Sequence, residues 1–282
     1  MARKLKSNIF YFLCLASTVL CLFLLGILIY HLFIQGKDYF TWDFLNNFPS
    51  RFASKAGVKP GIYGTFYLMA LTAIIAVPLG ISTAIYMEEY GPKNKWMNLI
   101  QINISNLAGM PSIIYGLLGL AVFVRFLGLE RSILSGSLTL SLLILPVIII
   151  ASQGAIKSVP QSIRDAGYAL GARKFHVVFT QVLPAAIPGI MTGVILSLSR
   201  AIGEAAPLIV VGAVGYISYL PHTIMDGFTV LPIQIYNWAS RPQEEFQGLA
   251  SAAILVLLIG LFSLNFVAVY IRERFQRYKD ND

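Results

Sequence analysis

The sequence predicts an all-α membrane protein with six transmembrane helices, and three observations support this fold class. The 282 residues are 57% hydrophobic and only 12% charged, whereas about a quarter of a soluble domain is charged. The mean hydropathy is +0.72. Six apolar stretches are each long enough to cross a bilayer, which takes about 20 helical residues. The bilayer is therefore the expected solvent for most of this chain.

The six predicted spans are residues 9–34, 63–87, 99–124, 135–156, 186–214 and 248–271. Basic residues precede the first span, as they do in a signal peptide. Its apolar run is far longer than the roughly 7–15 residues of the apolar region in a signal peptide, and no small-residue cleavage site follows. We expect this segment to be retained as the first helix.

Proline or glycine interrupts the second to fifth spans, at Pro78, Gly109, Pro111, Pro146 and Pro207. Lipid-embedded helices tolerate such residues where neighbouring helices satisfy the carbonyl groups that a proline leaves free. These positions predict a bundle of bent helices and carry no information about a ligand.

The basic residues between the spans predict the orientation. If the N-terminus is cytoplasmic, thirteen Lys and Arg residues lie on the cytoplasmic side and seven on the other. Because lysine and arginine favour the cytoplasmic side, we expect both termini there. The formal net charge of +8 is spread over these gaps and forms no single patch, so we expect contact with membrane lipid and none with nucleic acid.

Three gaps between spans are long enough to fold by themselves. Residues 35–62 and 215–247 are expected outside, and the aromatic residues of the former are typical of an interfacial or re-entrant segment. Residues 157–185 are expected in the cytoplasm. The predicted domain organisation is a first span with its outer loop, a core and a short cytoplasmic tail, at residues 1–62, 63–275 and 276–282.

The cytoplasmic loop predicts a short amphipathic helix. Its apolar residues recur at helical spacing, at Val159, Ile163, Ala166 and Leu170. Ser158 and Gln161 have the spacing of a capping box, Pro160 suits a first helical turn, and Gly171 suits a helix end. A second short helix is predicted at 174–183. The apolar face could dock on a partner protein, lie on the membrane surface or pack on its own bundle.

The same loop resembles the EAA loop of ABC importer permeases, in which Glu-Ala-Ala precedes a glycine and a Leu-Pro pair at fixed distances. The residues at matching positions are Asp165, Ala166, Gly167, Gly171, Leu183 and Pro184. The chain departs from the family pattern with Asp165 for Glu, Gly167 for Ala and Gln181 for Ile. The resemblance implies a type I ABC importer permease fold, in which these residues couple the permease to a separate ATPase.

The fifth predicted span carries two charged residues, Arg200 and Glu204. Arg200 lies about 20 Å along a helix that begins at residue 186, beyond the middle of a roughly 30 Å hydrocarbon core. Small residues recur beside it at steps of four, at Gly189, Gly193, Ser197, Ala201 and Ala205, as in closely packed membrane helices. The two charges could neutralise each other within the bundle. Alternatively, Arg200 could offer a cationic surface to a passing anion while Glu204 positions it.

The segment from Arg200 to Pro207, Arg-Ala-Ile-Gly-Glu-Ala-Ala-Pro, resembles the Arg-Ala-x-Gly-Glu-Thr-Ala-Pro segment of phosphate permeases of the PstA type. Residues 64–66, 110–116 and 231–245 resemble the same family, and the likeness extends over about residues 60–275. It implies that Arg200 and Glu204 line the substrate pathway of a phosphate importer. Some relatives also carry Arg and Glu in helix four, and residues 145–153 have neither.

This resemblance also implies partners and a location. A PstC-like permease, a PstB-like ATPase dimer and a PstS-like phosphate-binding protein would complete the importer. ATP and Mg would be used by the ATPase, and the present chain would be a transport subunit and not an enzyme, with no cofactor of its own. It would lie in the cytoplasmic (inner) membrane as a multi-pass protein.

Other chemistry finds little support. His31, His176 and His222 lie in separate parts of the chain without metal-ligand spacing, and Cys14 and Cys21 provide no disulfide framework. The sequence has no Gly-x-x-x-x-Gly-Lys-Ser/Thr loop for ATP and no nucleophile constellation. Two alternatives stay open: an ABC permease for another oxyanion (phosphonate, molybdate or sulfate), and a secondary transporter or channel, which would need no ATPase-docking loop.

Overall fold

The computed structural model describes the backbone of residues 2–279 and the side chains of residues 7–270, 272 and 273. Within these residues the chain forms helices and turns, without strands. The predicted tail at 276–282 lies partly outside the described residues. The α-helices are α1 (Ala2–Gly36), α2 (Trp42–Asn46), α3 (Lys59–Ile85), α4 (Lys95–Ala108), α5 (Ser112–Gly119), α6 (Ile133–Lys157), α7 (Gln161–Ala169), α8 (Lys174–Val177), α9 (Leu183–Ile202), α10 (Ala206–Val211), α11 (Leu231–Ala239) and α12 (Glu244–Lys279).

Three helices continue through π-helical turns. These turns are Tyr86–Tyr90 after α3, Leu120–Phe126 after α5, and Val178–Val182. The last of them joins α8 to α9, so one helical stretch runs from Lys174 to Ile202. The predicted second loop helix is therefore the beginning of the fifth span.

The six predicted spans are confirmed when a bent pair of helices is counted as one. Five single stretches are long and apolar enough, and α4 with the extended α5 forms a pair bent by 103°. The Gln101 amide of α4 bonds to Gln153, whereas Gly119 of α5 contacts Thr139. These two contacts are 14 residues apart on α6, or about 21 Å along it, so the bent pair runs the length of the bundle.

The predicted third span, 99–124, is bent between Ala108 and Ser112, where Gly109 and Pro111 interrupt it as expected. A proline lacks an N–H and crowds the carbonyl group four residues before it. For Pro111 that carbonyl belongs to Leu107, which accepts hydrogen bonds from the Met110 N–H, at 3.1 Å, and from the Tyr115 hydroxyl, at 2.8 Å. The side chain therefore bridges the bend.

The predicted bounds of the fifth span, 186–214, were wrong. The helix begins earlier, at Lys174, and ends at Ile202. Pro207 stands in the first turn of the separate helix α10, and the carbonyl that its ring would crowd in a continuous helix belongs to Gly203. The chain therefore leaves the helix between Gly203 and Ala205.

The core is built on α6, which lies between α3 and α9. The Thr72 hydroxyl donates to the Ser137 carbonyl at 3.4 Å, and the Ser137 hydroxyl donates to the Leu68 carbonyl at 3.3 Å, which ties α3 to α6. On α6, Ile144 and Ile148 are fully buried. A Cβ atom placed on Gly189 would lie 2.8 Å from the Ala155 Cβ, so α6 and α9 pack closely. The predicted row of small residues in the fifth span thus packs closely on α6 at Gly189 and Gly193.

The direction of the helices places the start of α1, the end of α12 and α7 at the same end of the bundle. Gln35 near the end of α1 pairs with Ser251 near the start of α12, and Arg272 near the other end of α12 donates to Thr192 of α9. At the opposite end, residues 35–58 fold onto α11. Phe44 is buried against Trp238, with ring centroids 6.0 Å apart. This segment packs on the protein, and its aromatic residues at Trp42 and Phe52 remain exposed.

Candidate functional site

Arg200 lies near mid-height of the bundle, in the last turn of α9. Gly193 packs against Ala151, and Gly189 against Ala155, so α9 runs antiparallel to α6. In this register Arg200 is level with Ile144, close to the middle of the 25-residue α6. The sequence analysis counted the depth of Arg200 from residue 186, whereas the helix begins earlier. The contacts between α9 and α6 nevertheless also place Arg200 near the middle of the bundle.

Arg200 pairs with Glu204 across the end of the helix. The Arg200 Nε lies 3.4 Å from the Glu204 Oε1, and the side chains are 51% and 17% exposed. The two residues were expected on one face of a continuous helix, whereas Glu204 stands in the break after Ile202. A single long contact leaves most of the guanidinium N–H donors available, on a side chain that its own bundle covers only by half.

Two helix breaks lie side by side next to this ion pair. The first break lies between Ala108 and Ser112, and the second lies between Ile202 and Ala206. A Cβ atom on Gly116, which follows the first break, would lie 2.8 Å from the Cα atom of Pro207, which follows the second. In membrane proteins, irregular backbone at this depth occurs where it is buried in protein or lines a water-filled cavity. The bend at 109–111 and the break at 203–205 therefore lie close together in the same part of the bundle as Arg200.

Asn265 of α12 is a polar residue beside this region that the sequence analysis missed. It accepts a hydrogen bond from the hydroxyl of Ser199, the neighbour of Arg200. The only signal in the sequence is an isolated amide within the apolar stretch 248–271. Such side chains commonly bond across helices in membranes, and this one ties α12 to the end of α9.

The loop 157–185 contains the predicted amphipathic helix as α7. It ends as expected, because Gly171 has a φ of +78°, a conformation that favours glycine. The predicted capping box was wrong. Pro160 is the residue before the helix, and the Ser158 hydroxyl donates to the Ala155 carbonyl at 2.8 Å, at the end of α6.

The predicted single apolar face of α7 is divided between two surroundings. Val159 is buried and Ile163 packs on the core, whereas Leu170 is 89% exposed. Phe175 and Phe179 are also exposed, with their ring centroids 4.4 Å apart. The loop thus presents an apolar surface that the described chain does not cover, which is typical of a site that binds a protein or the membrane surface.

The six residues that match the EAA pattern do not lie together. Asp165, Ala166 and Gly171 are exposed, whereas Gly167 faces Val177 of α8, where an added Cβ atom would lie 2.8 Å from the Val177 Cγ2. The other two, Leu183 and Pro184, begin α9 and lie about two helical turns beyond Val177.

Comparison with solved structures agrees with this architecture. A bacterial alginate ABC transporter in complex with its alginate-bound periplasmic protein has a chain that superimposes with a TM-score of 0.70, at 16% identity over 95% of both chains. The inward-facing MetNI methionine ABC transporter has a TM-score of 0.60, at 17% identity over 78% of this chain and 94% of that one. The fold is therefore that of a type I ABC importer permease.

Residues 76–277 match the family described as binding-protein-dependent transport system inner membrane component, and the chain belongs to that family. Among curated relatives, PstA 1 of Mycobacterium tuberculosis H37Rv, a phosphate transport system permease protein, is 32% identical over 96% of this chain and 89% of its own. PstA of Mycobacterium leprae is 34% identical, over 92% and 87%. The probable ABC transporter permease YqgI of Bacillus subtilis is 31% identical, over 89% and 90%. The chain is thus a multi-pass membrane permease.

Proposed function

We propose that this chain is a permease subunit of an ATP-driven importer of inorganic phosphate. The observation that carries the proposal is Arg200, a half-uncovered guanidinium at mid-height of a membrane bundle. A charged group at that depth is costly unless it faces protein or a polar pathway. The similarity to permeases named for phosphate transport supports the same cargo.

The chemistry of the pair suits an oxyanion that must be bound and then released. A guanidinium presents a planar fork of donors that fits two oxygens of a phosphate. Glu204 uses one of these donors at 3.4 Å and lowers the net positive charge. The site would therefore attract phosphate without retaining it.

The remaining subunits follow from the family. A PstC-like permease would close the pathway on the uncovered side of Arg200, and a PstS-like protein would deliver phosphate to the end of the bundle formed by residues 35–58 and α11. A PstB-like ATPase dimer, which would use ATP and Mg, would dock on α7 and the exposed residues Leu170 and Phe175. This arrangement puts both termini in the cytoplasm, with residues 63–275 as the permease core.

Replacing Arg200 tests the proposal. In the assembled complex, reconstituted in vesicles with ATP, Arg200→Leu is expected to lower phosphate uptake on the order of 100-fold, because losing a charge-assisted hydrogen bond costs about 1.5–3 kcal/mol. Arg125→Leu is the matched control, since Arg125 is an exposed arginine in the turn after α5. It should leave uptake within about twofold.

The same vesicles separate phosphate from other oxyanions. Excess unlabelled phosphate should compete with labelled phosphate, whereas sulfate, molybdate and phosphonate should not. Normal uptake by the Arg200→Leu complex would refute the pathway role of Arg200. Stronger competition by another oxyanion would reassign the cargo.

A further inference from the structure

One arginine fastens α7 to the rest of the bundle. Arg164 Nη2 lies 2.8 Å from the Glu89 Oε1, and Nε lies 3.2 Å from the same oxygen. The guanidinium also donates to the carbonyl oxygens of Val159, at 2.8 Å, and Ile156, at 3.1 Å. The side chains of Arg164 and Glu89 are only 12% and 7% exposed. This is a buried, multiply bonded ion pair.

The groups that Arg164 joins belong to different elements. Glu89 lies in the π-helical turn that ends the α3 stretch, 75 residues earlier in the chain. Ile156 is in the last turn of α6, where carbonyl groups have no partner within the helix and favour a cation. A movement of α7 that keeps these bonds must therefore move the ends of both α3 and α6.

The other side of α7 contacts the helix that carries Arg200. Gly167 packs on Val177, which belongs to the continuous stretch from Lys174 to Ile202. The helix α7 thus lies between two π-helical turns. Arg164 bonds to the turn Tyr86–Tyr90, and Gly167 packs on Val177, which adjoins the turn Val178–Val182. Through these two contacts α7 is connected to all three core helices.

A neighbouring ion pair differs in a way that makes it a natural control. Lys157 Nζ lies 3.0 Å from the Glu88 Oε1, but the lysine side chain is 61% exposed. Exposed pairs contribute little, whereas removing one partner of a buried pair leaves an uncompensated charge. Among the described side chains, the adjacent acids Glu88 and Glu89 each have one cationic partner, and Glu89 alone of the two bonds to a residue of α7.

We propose that Arg164 and Glu89 are positioning residues that transmit the movement of α7 to α3 and α6 and thereby couple ATP hydrolysis to transport. This inference rests on the proposed function. The ATPase would push or pull on the exposed surface of α7, and the buried pair would make α7, the end of α3 and the end of α6 move together.

The test measures phosphate uptake and ATP hydrolysis in the same vesicles. In the complete complex, Glu89→Gln should raise the ATP hydrolysed per phosphate imported at least about tenfold with the ATPase still bound, because α7 can then move alone. Arg164→Lys, which keeps the charge but loses the fork, should give an intermediate ratio. Glu88→Gln should change the ratio by less than about twofold.

The proposal would be overturned if Glu89→Gln lowered phosphate uptake and ATP hydrolysis together and left the ATP hydrolysed per phosphate unchanged. A purely structural role of Glu89 predicts that result. A cross-link keeps the test decisive if that variant fails to assemble. With Cys14 and Cys21 replaced, Arg164→Cys and Glu89→Cys joined by a bifunctional thiol reagent should restore the wild-type ratio. Blocked transport after cross-linking would contradict joint movement. A wild-type complex that imports no phosphate would remove the proposed function instead.

Discussion

The two glycines at positions that match the EAA pattern, Gly167 and Gly171, meet different physical constraints. Gly171 adopts a φ of +78° in open space, so its backbone conformation excludes most side chains. Gly167 adopts an ordinary helical conformation, but a Cβ atom there would lie 2.8 Å from the Val177 side chain. This contact explains why the chain has glycine where the family pattern has alanine. The helix α7 approaches α8 too closely for a methyl group without a shift of Val177.

Substitution of Gly171 should depend on backbone conformation and not on size alone. Gly171→Val is expected to reduce the amount of ATPase subunit that co-purifies with the permease, because a β-branched residue at this φ is strained by about 1–2 kcal/mol or more. Gly171→Asn is the matched control, since asparagine tolerates the left-handed region. Equal losses of ATPase for valine and asparagine would show that the turn geometry is irrelevant to docking.

At the level of the helices, the prolines of the sequence were identified but their effects could not be distinguished. Pro111 and Pro207 stand at breaks, whereas Pro78 and Pro146 lie inside continuous helices. A glycine occurs within the four residues before each proline at a break, at Gly109 and Gly203, and none precedes the other two so closely.

Glycine lowers helix stability by about 1 kcal/mol relative to alanine, which adds to the lost hydrogen bond of the proline. Packing accounts for the rest of the difference between the prolines at breaks and the prolines inside continuous helices. The stretches around Pro78 and Pro146 face each other in the α3–α6 pair, which holds both helices in shape, and that pairing could not be derived from a single sequence.

The close packing of α6 against α9 predicts how a larger side chain in this seam affects stability. Gly193→Leu should lower the melting temperature of the detergent-solubilised permease, because the side chain would collide with Ala151 and overpacking costs about 1–3 kcal/mol. Gly154→Leu is the control, since Gly154 is exposed on α6 and nothing lies within 4 Å of its Cβ position. A larger loss of stability in the control would contradict the close seam.

For the whole molecule, hydropathy was sufficient to predict six spans, because a helix that satisfies its own backbone hydrogen bonds can cross lipid only if most of its side chains are apolar. It could not predict that Glu89 neutralises Arg164, since no local spacing connects residues 75 positions apart. The depth of Arg200 was predictable as a charge within an apolar run. Its exposure was not, because that depends on which of its faces the other helices cover.

The half-exposed Arg200 is consistent with our proposal that a second permease subunit completes the pathway. Its exposed fraction of 51% refers to this chain alone, and a cation at mid-height needs either a second protein surface or water on that side. The proposed partner permease would supply a protein surface on that side and leave a water-filled passage between the subunits. An arginine that faced lipid would have neither protein nor water beside it.

The most direct measurement is the accessibility of position 200 in the assembled complex. With Cys14 and Cys21, the two cysteines of the chain, replaced by alanine, Arg200→Cys should react with a charged, water-soluble thiol reagent. Phosphate should slow that reaction during turnover. Reaction with lipid-soluble reagents alone, unaffected by phosphate, would show that the side chain faces lipid and would contradict the proposed anion pathway.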